Sequence, residues 1–209
     1  GDVARALDVT RQTAHRYLRE LCADGRLVIE GAGRSTRYRR SDPVERRTYS
    51  TAGLSEDRVW SEMGESGTVA ADMPPPARNV LHYALTEIVN NAIDHSGATE
   101  VSVQLTRTGE TVEFEVRDAG FGIFNHIRDR LGLATELEAL QELSKGKMTT
   151  MPSRHTGEGI FFTSKAVNRF EIISGSLHWI VDNRRGDMAV GSVDPPQVAP
   201  DTVRIIRGF

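Results

Sequence analysis

The sequence predicts an α+β protein of two domains, and three observations support this. The first is charge: residues 1–47 hold 11 basic and 7 acidic residues, a net charge of +4, whereas residues 48–209 hold 15 basic and 22 acidic residues, a net charge of −7. The second is a helix–helix–hairpin pattern in the basic part. The third is a long amphipathic helix in the acidic part, followed by two alternating runs that predict a β-hairpin. We therefore expect two domains with different ligands.

The composition excludes several classes of protein. Hydrophobic residues make up 38% and charged residues 26% of the chain, as in folded globular proteins. No stretch approaches the roughly 20 apolar residues that span a bilayer, so we expect no membrane partner. Cys22 is the single cysteine, which excludes disulfide frameworks and cysteine-based zinc sites and favours a cytoplasmic location. Because Gly1 already lies in a helical pattern, we expect a truncated N-terminus.

The basic part is predicted to contain a helix over residues 2–7 and a second helix from Arg11 to about Ala23, with Thr10 as its N-cap. The segments RLVIE and RYRR then predict a β-hairpin. This order, over ARALDVTRQTAHRYLRELCADGRLVIEGAGRSTRYRR, resembles the winged helix-turn-helix family. The family's usual first helix is absent, as expected for a truncated chain.

The resemblance implies that residues 1–47 bind double-stranded DNA. The start of the second helix would face the major groove, and the hairpin would contact the backbone or the minor groove. The alternative is a solvated, arginine-rich hairpin in a domain that docks onto a protein. The candidate DNA-binding residues are Arg11, Gln12, Thr13, Arg16, Arg34 and Arg37, with Arg39 and Arg40 also on the hairpin.

Residues 48–76 are predicted to be a linker, and residues 77–209 the second domain. The linker contains several glycines and the run Pro74–Pro76, and consecutive prolines force an extended segment. A short helix is expected around DRVWSEM. No long helical hairpin presents a phosphorylatable histidine, which disfavours a histidine kinase.

The second domain contains three motifs whose types and order resemble the GHKL ATPase superfamily, which includes gyrase, the heat-shock chaperone, histidine kinases and mismatch-repair ATPases. The match is closest to the stand-alone ATPases related to anti-sigma-factor kinases. It covers about residues 78–181 and implies an α/β sandwich with a mixed sheet and helices on one face. The motifs are Glu87-Ile-Val-Asn90-Asn91, Asp118-Ala-Gly120-Phe-Gly122 and His155-Thr-Gly157-Glu-Gly159.

The resemblance implies ATP and Mg²⁺ as ligands and gives roles to the motif residues. Asn91 would bind Mg²⁺, which prefers oxygen ligands, and Glu87 would act as general base. Glu87 and Asn91 share a helix face because they lie four residues apart. The alternative for Glu87 is a cap or a salt bridge. Asp118 would accept a hydrogen bond from the adenine amino group.

The glycines and a lid complete the expected site. Gly120 and Gly122 would let the backbone approach the base, and Gly157 and Gly159 would present amides to phosphates. His155 stands where the family has a further glycine. Residues 124–154 would form the lid, with a helix over about 127–143. Its Lys145 and Lys147 would hold phosphates or form a solvated turn, and Asp94 would hold a water near Mg²⁺.

The four histidines His82, His95, His126 and His178 lack metal-ligand spacing and are predicted to be structural.

Three functions fit these motifs. The leading hypothesis is a transcriptional regulator in which an ATP site controls a DNA-binding domain. The second is a serine/threonine kinase of the anti-sigma-factor type acting on a protein partner, and the third is a sensor that binds ATP without hydrolysing it. After Val181 we expect a loop with Pro195-Pro196 and the short strand TVRII. The closing strand of the family often follows Gly-Thr, so either Asp201-Thr202 is a degenerate form of that pair or the chain stops before this strand. The sequence shows no dimerisation helix.

Overall fold

The chain folds as two compact units, Gly1–Pro43 and Val44–Phe209. The computed structural model describes residues 2–23, 27–71, 73–146, 159–193 and 201–208, with residues 34, 40 and 201–208 described by their backbone alone. Within these ranges, no helix is both long enough and apolar enough to cross a membrane.

The first unit contains two helices and a hairpin at the predicted positions. Its elements are α1 (Asp2–Ala6), α2 (Arg11–Ala23), β1 (Leu27–Glu30) and β2 (Arg37–Arg40). The strands pair antiparallel, and the 3-10 turn Gly33–Ser35 connects them. The predicted N-cap is confirmed, because the Thr10 Oγ1 accepts the amide N–H of Thr13 at 3.1 Å.

The first unit buries little apolar surface. Among its described residues, the buried apolar side chains are Ala4 and Ala14. Larger apolar side chains remain accessible, with Leu7 57% and Ile29 54% exposed. The core of this unit is therefore small.

The second unit is built on a seven-stranded sheet whose order is β3-β4-β5-β9-β6-β7-β8. All its pairings are antiparallel. The expected mixed sheet is therefore wrong for the described strands, because three pairs are successive hairpins and β9 runs antiparallel to both β5 and β6. The strands are β3 (Val44–Ser50), β4 (Glu100–Thr108), β5 (Thr111–Asp118), β6 (Arg169–Ser174), β7 (Leu177–Asp182), β8 (Asp187–Ser192) and β9 (Asp201–Gly208).

The helices of this unit pack on one face of the sheet, as predicted. The buried side of α4 shares a core with the inward-facing residues of β4 and β5, for example Leu85 with Val103 and Phe114. The face of the sheet that points away from the helices carries polar side chains. Examples are Gln104 on β4 and Glu115 on β5, which are cross-strand neighbours. The helices are α3 (Glu56–Trp60), α4 (Pro75–His95), α5 (Ile123–Leu131), α6 (Glu136–Ser144) and α7 (Gly159–Ala166), and the π-helical turn Ser61–Glu65 follows α3.

Residues 48–76 do not form a separate linker. Strand β3 begins at Val44 and pairs along its whole length with β4, so the unit boundary lies at Pro43 rather than at residue 47. Pro75 occupies the first turn of α4, where a missing N–H costs no helical hydrogen bond. The segment also contributes buried apolar residues to the core: Leu54, Val59, Trp60, Met63, Val69, Ala70 and Met73.

A polar cluster joins β3 to the π-helical turn. The carboxylate of Glu62 accepts hydrogen bonds from Arg47 at 3.0 Å and from Arg58 at 2.9 Å. The hydrogen bond from Arg58 lowers the pKa of Glu62. Burial raises the pKa of the neighbouring Tyr49 hydroxyl to about 12, and the charge of Glu62 adds to this effect.

The expected single helix over about 127–143 is replaced by two helices. Gly132, with a φ of +66°, ends α5 in a left-handed conformation. Thr135 then caps α6 by accepting the N–H of Glu138 at 3.2 Å. Both helices bury apolar residues, including Phe124 and Leu140, so this part of the expected lid belongs to the core.

Candidate functional site

Helix α4 places Glu87 and Asn91 one turn apart beside its buried face. Both side chains are half-buried, whereas the intervening Ile88 and Val89 are buried. The Asn91 Nδ2 donates a hydrogen bond to the Glu87 backbone carbonyl at 2.7 Å. Because a carboxamide is planar, this bond directs the Asn91 Oδ1 away from that carbonyl. The oxygen is thus the atom that Asn91 presents to a cation.

The carboxylate of Glu87 lies against the start of α7. A Cβ built at Gly159 would stand 1.9 Å from the Glu87 Oε2, so a side chain at this position would displace the end of Glu87 from where it lies. The N-terminus of a helix carries a partial positive charge that favours a neighbouring anion. Two of the three predicted motifs therefore meet at this contact.

The Asp118 motif is attached to the C-terminal end of α4. Asp118 is the last residue of β5, and its Oδ1 accepts the N–H of Gly120 at 2.9 Å. The N–H of Phe121 then donates to the Ser96 carbonyl at 2.8 Å. A Cβ at Gly120 would stand 2.1 Å from that same oxygen, so glycine is required for this close approach.

A cleft runs between α4 and the sheet, with Asn91 and Asp118 both in its wall. The space between its walls is about 480 Å³, a volume that includes the part open to solvent. Its lining combines an apolar floor with a few polar groups, an arrangement that suits a flat heterocycle with polar edges. The lining residues are Ile88, Asn91, Ala92, His95, Ser96, Val116, Asp118, Ile123, Ile160 and Ile172.

Several residues of this cleft escaped the sequence prediction. His95, expected to be structural, lines the cleft, and its ring centroid lies 5.4 Å from that of His126. Ile123 and Ile160 each follow a glycine motif by one residue, so an apolar residue directly after each motif is the signal that would have found them. Ile172, on β6, has no comparable sequence signal.

Other predicted residues are not brought into this cleft. Asp94 is half-buried on α4 but does not line it. The Lys145 Nζ forms an ion pair with the Glu142 Oε1 at 2.5 Å, so in this structure Lys145 is paired within the end of α6. Lys147 and Gly157, as well as His155, lie outside the described residues.

The side-chain oxygens at the cleft are too few to hold a magnesium ion by themselves, so an anionic ligand would have to supply further oxygen ligands. In the described part of the chain, no group of three or more histidines, cysteines, aspartates or glutamates is placed to hold a metal ion. Asn91 offers one neutral oxygen, which fits a cation that takes most of its ligands from phosphates and water.

In the first unit, the start of α2 presents polar side chains to solvent. Arg11 and Gln12 are exposed, whereas Thr13 is half-buried and bonded to Thr10. Arg16 is exposed, lies 3.8 Å from a Glu20 carboxylate oxygen and stacks over the Tyr17 ring at 5.4 Å. Arg11 and Gln12, at the start of α2, are therefore both accessible to solvent.

The hairpin arginines differ in their surroundings. Arg37 is exposed, and the side chains of Arg34 and Arg40 lie outside the described atoms. Arg39 donates to Glu30 at 2.9 Å and to Asp42 at 3.0 Å. The hydrogen bond to Glu30, followed by that to Asp42, raises the pKa of Arg39. Arg39 is thus held by two carboxylates.

A family model matches this chain within the second unit. The family model described as a histidine kinase-like ATPase domain matches residues 50–181, more than half of the chain. This match includes residues 50–76, which agrees with their place in the core. No curated protein matches the chain significantly. The matched region contains Glu87, Asn91 and Asp118 in the geometry described above, and the chain belongs to the histidine kinase-like ATPase domain family.

Proposed function

We propose that this chain is an Mg·ATP-binding transcriptional regulator in which the nucleotide site of the second unit controls DNA binding by the first. The observation that carries the nucleotide assignment is the apolar cleft with Asp118 and Asn91 in its wall. An ionised Asp118 accepts hydrogen bonds only, so it favours the amino group of adenine over the carbonyl oxygen of guanine at the same position.

The phosphates would extend from the cleft toward Asn91 and the start of α7. The Asn91 Oδ1 would hold Mg²⁺, and the amides at Gly159 would face the phosphate oxygens. Bound Mg²⁺ neutralises charge on the phosphates. The second unit is acidic overall, so its anion site rests on the cation and on backbone amides rather than on net charge.

The first unit would bind double-stranded DNA through α2 and the hairpin. Arg11, Gln12, Thr13 and Arg16 would read the major groove or hold phosphates, with Arg34 and Arg37 on the hairpin supporting them. A ligand changes DNA affinity only when it binds the DNA-bound and free states differently. The fusion of the two units in one chain is the reason to expect such coupling.

The coupling is tested with a mixed-sequence DNA duplex, titrated in the presence and absence of Mg·ATP. We expect an affinity change of at least about fivefold, the lower range of measured couplings. The Asn91→Ala variant should remove this change and keep the nucleotide-free DNA affinity. Identical DNA affinity in both conditions would exclude nucleotide control.

A second function, protein serine/threonine kinase, is favoured by the contact between Glu87 and Gly159. There the Glu87 carboxylate would take the proton of a partner hydroxyl as its oxygen bonds to the terminal phosphorus. The bond from that phosphorus to the bridging oxygen breaks, and ADP leaves with the electron pair. Water in place of the hydroxyl gives hydrolysis.

Radiolabelled ATP distinguishes these outcomes. Turnover that Glu87→Ala abolishes without loss of ATP binding supports the base role of Glu87, and label retained on a protein identifies a kinase. ATP recovered intact after prolonged incubation supports the sensor and excludes both reactions.

A further inference from the structure

The two edges of the seven-stranded sheet differ in how they are protected. Strand β3 forms one edge and carries the consecutive charged residues Glu45, Arg46 and Arg47. The Glu45 Oε1 also accepts the backbone N–H groups of Thr68 at 2.5 Å and Val69 at 3.1 Å, so a loop is fastened beside this edge. Charged residues and covering loops are the usual means by which proteins prevent edge strands from pairing with another chain.

Strand β8 forms the other edge and lacks these features. All six of its residues are exposed, and within the described ranges β7 is its one strand partner. The strand contains neither lysine, arginine nor proline, and Asp187 at its start is its one charged residue. Met188 is 63% and Val190 42% exposed. An exposed edge with apolar side chains is a surface for strand addition.

The apolar residues of β8 continue the core face of the sheet. Val190 lies opposite Trp179 and Met188 opposite Val181 in the register of β7 with β8. Trp179 and Val181 are buried in the core, and directly opposed residues point to the same face. The core face therefore extends to the edge, where Met188 and Val190 stand uncovered in the described structure.

We propose that β8 is a dimerisation edge that pairs antiparallel with β8 of a second copy of this chain. The register that fits has Ala189 opposite Ala189 on the two-fold axis. It places Met188 of each copy opposite Val190 of the other on one face, which joins the two apolar stripes. It also places Asp187 opposite Gly191, so the strand's carboxylates do not face each other. The strand can thus pair with its own copy, joining apolar side chains without opposing like charges.

The primary test is sedimentation equilibrium of the full chain, with or without nucleotide. We expect a species of twice the 23.1 kDa chain mass. Met188→Lys places a charge in the apolar stripe and should weaken dimerisation at least about tenfold. Val44→Lys is the matched control, because Val44 is a similarly exposed residue, 56%, on the opposite edge. A monomer at all concentrations, or a dimer that persists in Met188→Lys, would overturn the proposal.

A cross-linking experiment tests the register. Ala189→Cys in a Cys22→Ser background should form an intermolecular disulfide with diamide as oxidant, because opposed antiparallel residues have Cα atoms about 4.5–5.5 Å apart. Val44→Cys in the same background should not cross-link. Equal cross-linking of both variants would contradict the pairing. Neither experiment depends on ATP or DNA binding, so failure here leaves the proposed function standing.

Discussion

The carboxylate of Glu87 and the backbone of Gly159 are in contact, and no side chain fits between them, since a Cβ on Gly159 would lie 1.9 Å from the Glu87 Oε2. Glu87 belongs to α4 and Gly159 begins α7. Their contact places the proposed base beside the first residue of the helix whose amides would face the phosphates.

The Gly159→Ala variant should reduce the rate of nucleotide turnover at least about tenfold. If the wild type does not turn ATP over, the affinity for ATP should fall by the same factor. The added methyl group must push the Glu87 carboxylate or the first turn of α7 out of place, and small displacements in a site have large effects on rate. Gly191→Ala is the control, because no atom lies within 4 Å of a Cβ at that position. Unchanged activity in Gly159→Ala would contradict the proposed geometry.

The Asn91→Ala variant should bind ATP with an affinity that depends less on Mg²⁺ than that of the wild type. The wild-type Asn91 Oδ1 is directed away from the helix by the Nδ2 bond to Glu87, and alanine removes this oxygen. Binding titrations with and without excess chelator measure the dependence. The control is Asn125→Ala, on α5 and outside the cleft lining. Retention of the full Mg²⁺ effect would exclude Asn91 as a ligand.

The free energy of unfolding should fall as the pH rises from 10 to about 12. Over this interval the Tyr49 hydroxyl ionises in the unfolded chain but stays protonated in the folded one, so the folded state binds more protons and alkali destabilises it. Chemical denaturation at several pH values measures the slope. Tyr49→Phe should have a smaller slope over the same interval, and an unchanged slope would assign the effect to other groups.

The two hairpin arginines should differ in the salt dependence of DNA binding. Arg37→Gln should lower the slope of log affinity against log salt by about 0.9, the effect of losing one phosphate contact. Arg39→Gln should leave the slope unchanged, because that guanidinium is already bonded to Glu30 and Asp42. Equal slopes for the wild type and Arg37→Gln would show that Arg37 makes no phosphate contact.

The motif residues could be predicted because each depends on local spacing. Glu87 and Asn91 lie four residues apart on a strongly apolar helix, and Asp118 closes an alternating strand before a glycine motif. These patterns determine which side chains share a face. Thr10 was likewise recognisable as a cap from its place before a periodic segment.

The segments that sequence analysis missed depend on partners distant in the chain. The segment after Pro43 has no strong periodicity, and its residues become core only because β3 pairs with β4. Strand β8 follows the loop-like sequence NRRG, and β7 is its strand partner in the described part of the chain. Gly132 divides the expected helix because a left-handed residue there lets both halves pack on the core. Such tertiary determinants override local propensity.

Isothermal titration of ATP and GTP against the wild type and Asp118→Asn, with Mg²⁺ present, tests the central claim most directly. Wild-type protein should prefer ATP, and Asp118→Asn should weaken ATP binding by at least about tenfold, since it replaces a charged acceptor of the amino group. Glu110→Gln, a change of the same kind at the exposed hairpin between β4 and β5, should bind ATP as the wild type does. Equal binding of ATP by wild type and Asp118→Asn would contradict the placement of adenine in this cleft.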